Sequence, residues 1–388
     1  MKVCHFITYY LPVTQNWIYS QLVFNDECKS TVLCQRLINP KQFPFDNVHP
    51  ICQTPGPSSI PKRIAHKIFE RYPSNPHLRI INGIKPDILH GHFLLESWRN
   101  YHLIKQSKIP LVTTCYGQDI TSLPRKPFWK SRAKKVFELS SAFIVEGPHM
   151  GDTLAALGCP KEKINVIKLG IDTTKITHNP PMDDNGGNDT VRILFTGLGR
   201  EKKGAAYAVQ AFIKAVSLMP PSGSTNIELH LLGDGPYRKP AEKMLRNAGI
   251  MQKAIFHGMK PVDQYLKLLK SIDIVLAPSV RAADGDTEGG APVVVIEALC
   301  AGIPVIASTH CDIPSIVSHG SSGLLSAERD AGALAKDIVT LSINKQLRID
   351  MGKQGSNYAR AEHDIIRQVR KITNVYRKAV PLSGKPHS

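Results

Sequence analysis

Acidic residues are scarce in this 388-residue chain. Its 32 Asp and Glu stand against 49 Lys and Arg, a formal net charge of +17. Such an excess points to an anionic partner: nucleic acid, an anionic membrane or a phosphorylated substrate. Long apolar runs are also missing. Nothing approaches the roughly 20 residues that a bilayer-crossing helix needs. After Lys2 there is only a short apolar run broken by His5, Thr8 and the Tyr9-Tyr10 pair, which is neither a signal peptide nor a span. The eight cysteines are scattered, with no C-x-x-C pair and no zinc spacing. That argues against a disulfide framework or zinc site and for reduced thiols packed in cores. What remains, 42% hydrophobic and 21% charged residues, is the composition of a soluble globular protein. The length favours two domains.

One stretch organises the rest: Asp284–Ser308, DGDTEGGAPVVVIEALCAGIPVIAS. An acidic loop with Asp284, Asp286 and Glu288 runs into Gly289 and Gly290. Ala291 follows, and Pro292 suits a first helical position, where its missing N–H costs nothing. Val293–Cys300 reads as a buried helix with one carboxylate, Glu297, and Gly302 breaks it. Ile303–Ala307 then reads as a buried parallel strand. A glycine-rich loop before a helix N-terminus offers free N–H groups and a positive dipole end, which suits a phosphate. A carboxylate further along can accept from ribose hydroxyls. The same pattern also fits a plain crossover with a solvated acidic loop.

Upstream, Val3–Tyr9 reads as a first strand. Thr14 is placed to cap a helix carrying Trp17, Ile18, Gln21 and Leu22 at helical spacing. Residues 36–75 read as a loop-rich insertion with a short basic helix, Lys62–Arg71. Asp87–His92, Pro110–Cys115 and Ser141–Glu146 are strands; Leu94–Gln106 and His149–Leu157 are helical. Ligands of open α/β sheets lie beyond the carboxyl ends of strands. His92 and Tyr116-Gly117-Gln118-Asp119 therefore border the expected site, although for His92 a structural role is the more common one. Pro124–Lys135, PRKPFWKSRAKK, has no acid and holds Phe128 and Trp129. It fits an amphipathic helix on anionic headgroups or a solvated charged face. Thr173–Thr190 is polar, with Pro and Gly pairs, and reads as a linker. A strand at Val191–Gly197 then leads to GLGREKKG, Gly197–Gly204, where Arg200 and Lys203 suit a diphosphate. An alanine-rich helix runs to about Leu218. Strands at Ile227–Leu232, Ala254–Gly258 and Asp273–Pro278 follow, and helices near Gly332–Ser342 and Ile365–Ala379 close the chain.

Together these motifs resemble family 4 glycosyltransferases, and most nearly the exopolysaccharide branch, which carries a DGD-x-EG loop before this helix. The family separates two glutamates by seven residues; here Glu288 and Glu297 are separated by eight. Pro12-x-Thr14-Gln15-Asn16-Trp17-Ile18 is similar to the branch's P-x-S-E-T-F-I opening. Tyr116-Gly117-Gln118-Asp119 resembles H-G-x-D, with tyrosine in the histidine position. LGCPKEKINVIKLGID, ending at Asp172, resembles the family's exit strand. GLGREKKG resembles G-R-x-x-x-K-G, with Lys203-Gly204 in place, Leu198 at the arginine position and Arg200 displaced by two residues.

The resemblance implies an α/β protein of the GT-B fold, two Rossmann-like parallel-sheet domains facing a cleft. Residues 1–172 would bind acceptor and 191–388 the nucleotide sugar, across a linker at 173–190, with the last helix packing back on the first domain. It implies retaining transfer of a hexose-type sugar from a UDP- or GDP-sugar to a glycan or lipid-linked glycan, with no cofactor and no metal. Nucleic acid is not expected as a partner. Tyr116, Asp119 and Glu288 are the candidate catalytic residues. Thr14, Gln15, Arg200, Lys203, Gly258, Gly289, Gly290, Ala291, Pro292, Val293 and Glu297 are the candidate substrate contacts. A cytoplasmic protein resting on the inner membrane surface is expected. The alternatives are a non-catalytic sugar binder of the same fold and a nucleotide-sugar epimerase.

Overall fold

Every strand pairing in the two sheets of the protein is parallel. The computed structural model describes residues 1–12, 15–50, 75–178, 190–220, 225–290 and 292–380. The expected basic helix at Lys62–Arg71 lies outside them.

The chain divides into two units. The first comprises Met1–Gly170 and the segment from Ile365 onward; the second is Ile171–Asp364. The division falls at Gly170/Ile171, and the chain returns to the first unit at Ile365 rather than ending in the second. Thr173–Lys175 forms a 3-10 turn capped by the Asp172 carboxylate, and residues 179–189 of the expected linker lie outside the described residues.

In the first unit, seven strands run in the order β3-β2-β1-β4-β5-β6-β7. They are β1 Lys2–Tyr10, β2 Lys29–Leu37, β3 Val48–Pro50, β4 Ile88–His92, β5 Leu111–Thr114, β6 Ala142–Val145 and β7 Ile164–Val166. β4, β5 and β6 are buried along their whole length, because helices cover both faces of such a sheet. The order in which strands are added reverses between β1 and β4. The expected single helix over Leu94–Gln106 is two, Leu94–Arg99 and Tyr101–Ser107, with Asn100 capping between them. The Ile365–Ala379 helix packs Ile372, Val375 and Tyr376 with Val3, Ile88, Val112 and Ile144 of this sheet.

In the second unit, six strands run in the order β10-β9-β8-β11-β12-β13. They are β8 Thr190–Thr196, β9 Asn226–Leu232, β10 Ala254–Gly258, β11 Ile274–Ala277, β12 Val305–Ser308 and β13 Gly323–Ser326. The order in which strands are added reverses between β8 and β11, and this topological switch point is where ligands of doubly wound sheets bind. The core is made by Ile193, Phe195, Leu229, Leu231, Ile274 and Leu276 with the Ala205–Leu218 helix and the Ala331–Ile343 helix. A helix absent from the sequence reading, Lys345–Glu362, lies against Val293–Ala301. A Cβ at Gly352 would come within 1.9 Å of the Gly302 carbonyl oxygen. Glycine there permits the close approach of the two elements.

Candidate functional site

The loops after β8 and β11 meet at the switch point of the second unit. Gly204 adopts φ 73°, and a Cβ on it would lie 1.9 Å from the Pro278 carbonyl oxygen. Only glycine allows that contact, and it seats the Glu201–Lys203 turn on the end of β11. Lys203 Nζ donates to Glu288 Oε2 at 2.9 Å, and Ser279 Oγ donates to Glu288 Oε1 at 2.7 Å. Lys202 Nζ lies 3.3 Å from Asp286 Oδ1 and donates to the Thr287 carbonyl at 2.7 Å. The Asp286–Glu288 part of the acidic loop is therefore not solvated, whereas Asp284 is exposed. Asp286 is 3% exposed and Thr287 1%, and the Glu288 side chain is 4% exposed. Burial alone would raise the Glu288 carboxyl; Lys203 and Lys202 outweigh it and hold the group below its ordinary value.

Arg200 stands apart from Glu288. Its guanidinium comes to 3.7 Å from Asp286 Oδ2, and 63% of its side chain is exposed, the geometry of a weak surface pair. Leu198, at the position the family gives to arginine, is a fully buried core residue. The cationic side of this site is thus Lys202 and Lys203, with Arg200 at its rim.

The helix that follows runs Val293–Ala301. Pro292 is its cap, one residue earlier than the first helical position expected, and no side chain caps it. Gly289 N–H donates to Thr287 Oγ1 at 3.3 Å. Ala291 lies outside the described residues. Glu297, on the second turn, accepts a hydrogen bond from the Tyr265 hydroxyl at 2.8 Å. Burial pushes its carboxyl up to about 7, against the opposing effect of that hydroxyl. Gly258 ends β10, where its carbonyl accepts from Gly233 N–H at 2.9 Å, next to the Gly-Asp-Gly-Pro turn after β9.

In the first unit, Asp119 is 3% exposed and occupied by the main chain. Leu94 N–H donates to its Oδ2 at 2.8 Å, and the Tyr116 and Gly117 N–H groups donate to Oδ1, each at 3.1 Å. It ties the loop after β5 to the helix after β4. Tyr116 is buried against Trp17 and Phe93, and its hydroxyl lies 2.8 Å from His92 Nδ1. His92 Nε2 is 3.1 Å from His5 Nδ1, and His5 Nε2 is 3.3 Å from Ser30 Oγ. His90 bonds Thr114 and Tyr376. His5, on β1, and His90 and His92, on β4, bring ligand atoms within 4.8 Å of one another, yet each is hydrogen-bonded to protein groups. Burial keeps all three neutral, His5 down to about 3. Beside them, buried Glu96 takes Arg99 at 2.6 Å together with the Thr8 hydroxyl. Gln15 starts the Asn16–Val23 helix without capping it through its side chain; Thr14 lies outside the described residues.

The sequence reading did not find Ser279, Tyr265, His310, Glu328 or the Glu96–Arg99 pair. For Ser279 a signal existed, since it stands just past the end of β11. The Glu96–Arg99 pair is local, three residues apart on one helix; Tyr265, His310 and Glu328 acquire partners only through the fold.

Residues 185–358 match the family described as Glycosyl transferases group 1, and residues 27–175 match Glycosyltransferase Family 4. The amylovoran biosynthesis glycosyltransferase AmsK of Erwinia amylovora is 32% identical over 231 residues, 60% of this chain and 54% of that protein. The putative colanic acid biosynthesis glycosyltransferase WcaL of Salmonella typhimurium is 29% identical over 261 residues, 66% of this chain and 59% of that protein. The alignments thus span little more than half the length of these curated relatives. Among solved structures, Anabaena Alr3699/HepE in complex with UDP aligns with a TM-score of 0.77 at 16% identity, covering 97% of this chain and all of that one. A sucrose-phosphate synthase from Thermosynechococcus elongatus aligns at 0.75 and 16% identity, covering 97% and 98%. These likenesses show the fold, GT-B, with its two Rossmann-like parallel-sheet domains.

Proposed function

Because the chain belongs to the family 4 glycosyltransferases, we propose that it moves a hexose-type sugar from a nucleoside-diphosphate donor to a glycan or lipid-linked glycan in surface-polysaccharide synthesis. The second unit takes the donor and the first takes the acceptor. One observation carries the reading: Lys203 is held on Glu288 at the β8/β11 switch point, next to an uncapped helix start and one turn from the Glu297 carboxyl.

In this reading the diphosphate lies on Lys203, Lys202 and the Val293 helix N-terminus, which favours negative charge. Glu297 accepts from the ribose hydroxyls. Glu288 and the Gly289-Gly290 main chain hold the sugar. The bond from the anomeric carbon to the phosphate oxygen breaks through an oxocarbenium-like state. The acceptor oxygen bonds to that carbon from the same face, and its proton passes to the departing phosphate. Fixed charges aimed at the leaving group supply most of the stabilisation. Asp286, in the D-x-D match, faces Lys202 and Arg200 of its own chain, which supports metal-independent transfer. AmsK and WcaL act, by name, in amylovoran and colanic acid biosynthesis, and HepE is complexed with UDP and UDP-glucose. These support the donor class and the polysaccharide setting.

The test is a panel of UDP- and GDP-sugars with candidate acceptors, scored by nucleoside-diphosphate release and by thermal shift, with and without chelator. We expect one donor to stabilise the protein and to be consumed only with acceptor, chelator making no difference. Activity lost in chelator and restored by Mg²⁺ or Mn²⁺ would return Asp284 and Asp286 to a metal role. No stabilisation by any nucleotide sugar would refute the donor site.

A further inference from the structure

The loop that carries Glu288 is held at both ends by two residues outside it. His310 follows β12 and is 1% exposed. Glu288 N–H donates to its Nε2 at 3.2 Å, so that nitrogen bears a lone pair and the ring hydrogen sits on Nδ1. Nδ1–H donates to Glu328 Oε1 at 2.5 Å. Glu328 follows β13, and its other oxygen, Oε2, accepts from Arg281 N–H at 3.1 Å. The Arg281 carbonyl in turn accepts from the Arg329 guanidinium at 2.8 Å. Arg281 and Glu288 are the two ends of the loop containing Asp284 and Asp286. One carboxylate and one imidazole therefore close it, and neither reaches the Glu288 side chain, which is satisfied by Lys203 and Ser279.

We propose that His310 and Glu328 form a clamp that positions the Glu288 carboxylate and the adjoining glycine main chain for the donor, which makes both of them positioning residues. The inference rests on the donor site proposed above. Its physical basis is preorganisation. A loop rich in Asp and Gly loses much conformational freedom on ordering. Two hydrogen bonds from residues just past strand ends, one part-buried and one exposed, lower that cost before the ligand arrives. The imidazole at 310 accepts at its far ring nitrogen while donating at its near one, a pairing its Nδ1–H tautomer supplies. Cys311 Sγ lies 3.2 Å from the same Nε2 and also bonds Thr287 and the Gly289 main chain, so Cys311→Ala measures a further contact on this loop and is not a neutral control.

The experiment uses His310→Phe, which keeps a ring and loses both bonds, and His310→Gln, which restores an acceptor toward Glu288. Glu328→Ala and the double variant complete the set. Two readouts are taken on the full chain. One is hydrogen exchange of the peptide spanning 281–290. The other is kcat and KM with the donor found by the panel, or UDP and GDP binding if none turns over. We expect faster exchange and a fall in kcat/KM of up to about tenfold for His310→Phe and for Glu328→Ala, the scale of one hydrogen bond lost. Partial rescue by His310→Gln is expected, with a double variant no worse than either single one. Unchanged exchange in folded His310→Phe overturns the clamp, and so do multiplicative losses in the double variant. Faster exchange with unaltered turnover also overturns it. Glu288→Gln, measured in parallel, then identifies the fault: if that variant is fully active, the donor-site reading has failed.

Discussion

Glu297 illustrates what a single side chain contributes. It is a lone carboxylate on an otherwise apolar helix, and burial pushes it up to about 7 from 4.5. Between those values the folded protein binds more protons than the unfolded chain, so its contribution to stability falls as pH rises through the window. The melting temperature of wild type minus that of Glu297→Gln should therefore decline from pH 4.5 to 7 and level off above. A difference independent of pH would place the carboxyl in a solvated setting. UDP or GDP affinity should rise over the same range in wild type, because only the ionised group accepts from both ribose hydroxyls, and should stay flat in the variant. Glu297 was legible in the sequence because a charge interrupting an apolar run has no cheap structural explanation. Tyr265 was not. It lies 32 residues away on the Val262–Leu269 helix, and nothing local marks it as the hydroxyl that meets Glu297. His310 and Glu328 were hidden for the same reason.

At the scale of elements, the basic stretch at Pro124–Lys135 shows where pattern stops short. The sequence offers Phe128 and Trp129 as an aromatic pair for a lipid surface. The structure splits them. Trp129 is 1% exposed and packs with Trp98, Val136 and Phe137, whereas Phe128 is 80% exposed at φ 65°. Helical phase decides this. Trp129, Ala133, Val136 and Phe137 share the buried face of Trp129–Leu139, and Lys130, Lys134 and Lys135 are left outside. Where the helix starts sets the phase, and two adjacent aromatics do not reveal it. The membrane reading consequently rests on Phe128 and on Lys126, Lys130, Lys134 and Lys135, at about 1 kcal/mol per cation near an anionic surface. Changing those four lysines to Gln, or Phe128→Ser, should weaken co-sedimentation with anionic vesicles and leave the melting temperature nearly unchanged. Trp129→Ala should instead cost about 3–5 kcal/mol of stability. Binding to neutral vesicles equal to that on anionic ones would make the basic face merely solvated. Strands such as β4 and β11 were legible as apolar runs between turn signals. The Lys345–Glu362 helix was not, because Gly352 and Gly355 read as breakers while serving close packing against Gly302 and Leu299.

At the scale of the molecule, the two units differ in how they face acid. The first buries His5, His77, His90 and His92, with His5 pushed down to about 3 and His77 to about 4, chiefly by burial, and the other two also well below 6.5. In the second unit His230, His257 and His178 are lowered too, but each is set closer to solvent or beside charged neighbours such as Glu228 and Lys260. A histidine that is neutral when folded stabilises fully above its unfolded value near 6.5. The stability is lost as pH falls below it, since the unfolded chain takes up protons that the folded one refuses. Four such groups act together in the first unit, so it should yield first, between about pH 6 and 4. The chain supplies its own reporter. All three tryptophans, Trp17, Trp98 and Trp129, belong to the first unit. Tryptophan emission should therefore shift at a higher pH than the bulk of the far-ultraviolet circular dichroism. UDP or GDP, if held by the second unit, should move the later transition and leave the emission midpoint in place. Coincident transitions, or an emission midpoint that follows the nucleotide, would mean that the two units unfold as one and that the buried histidines do not set the order.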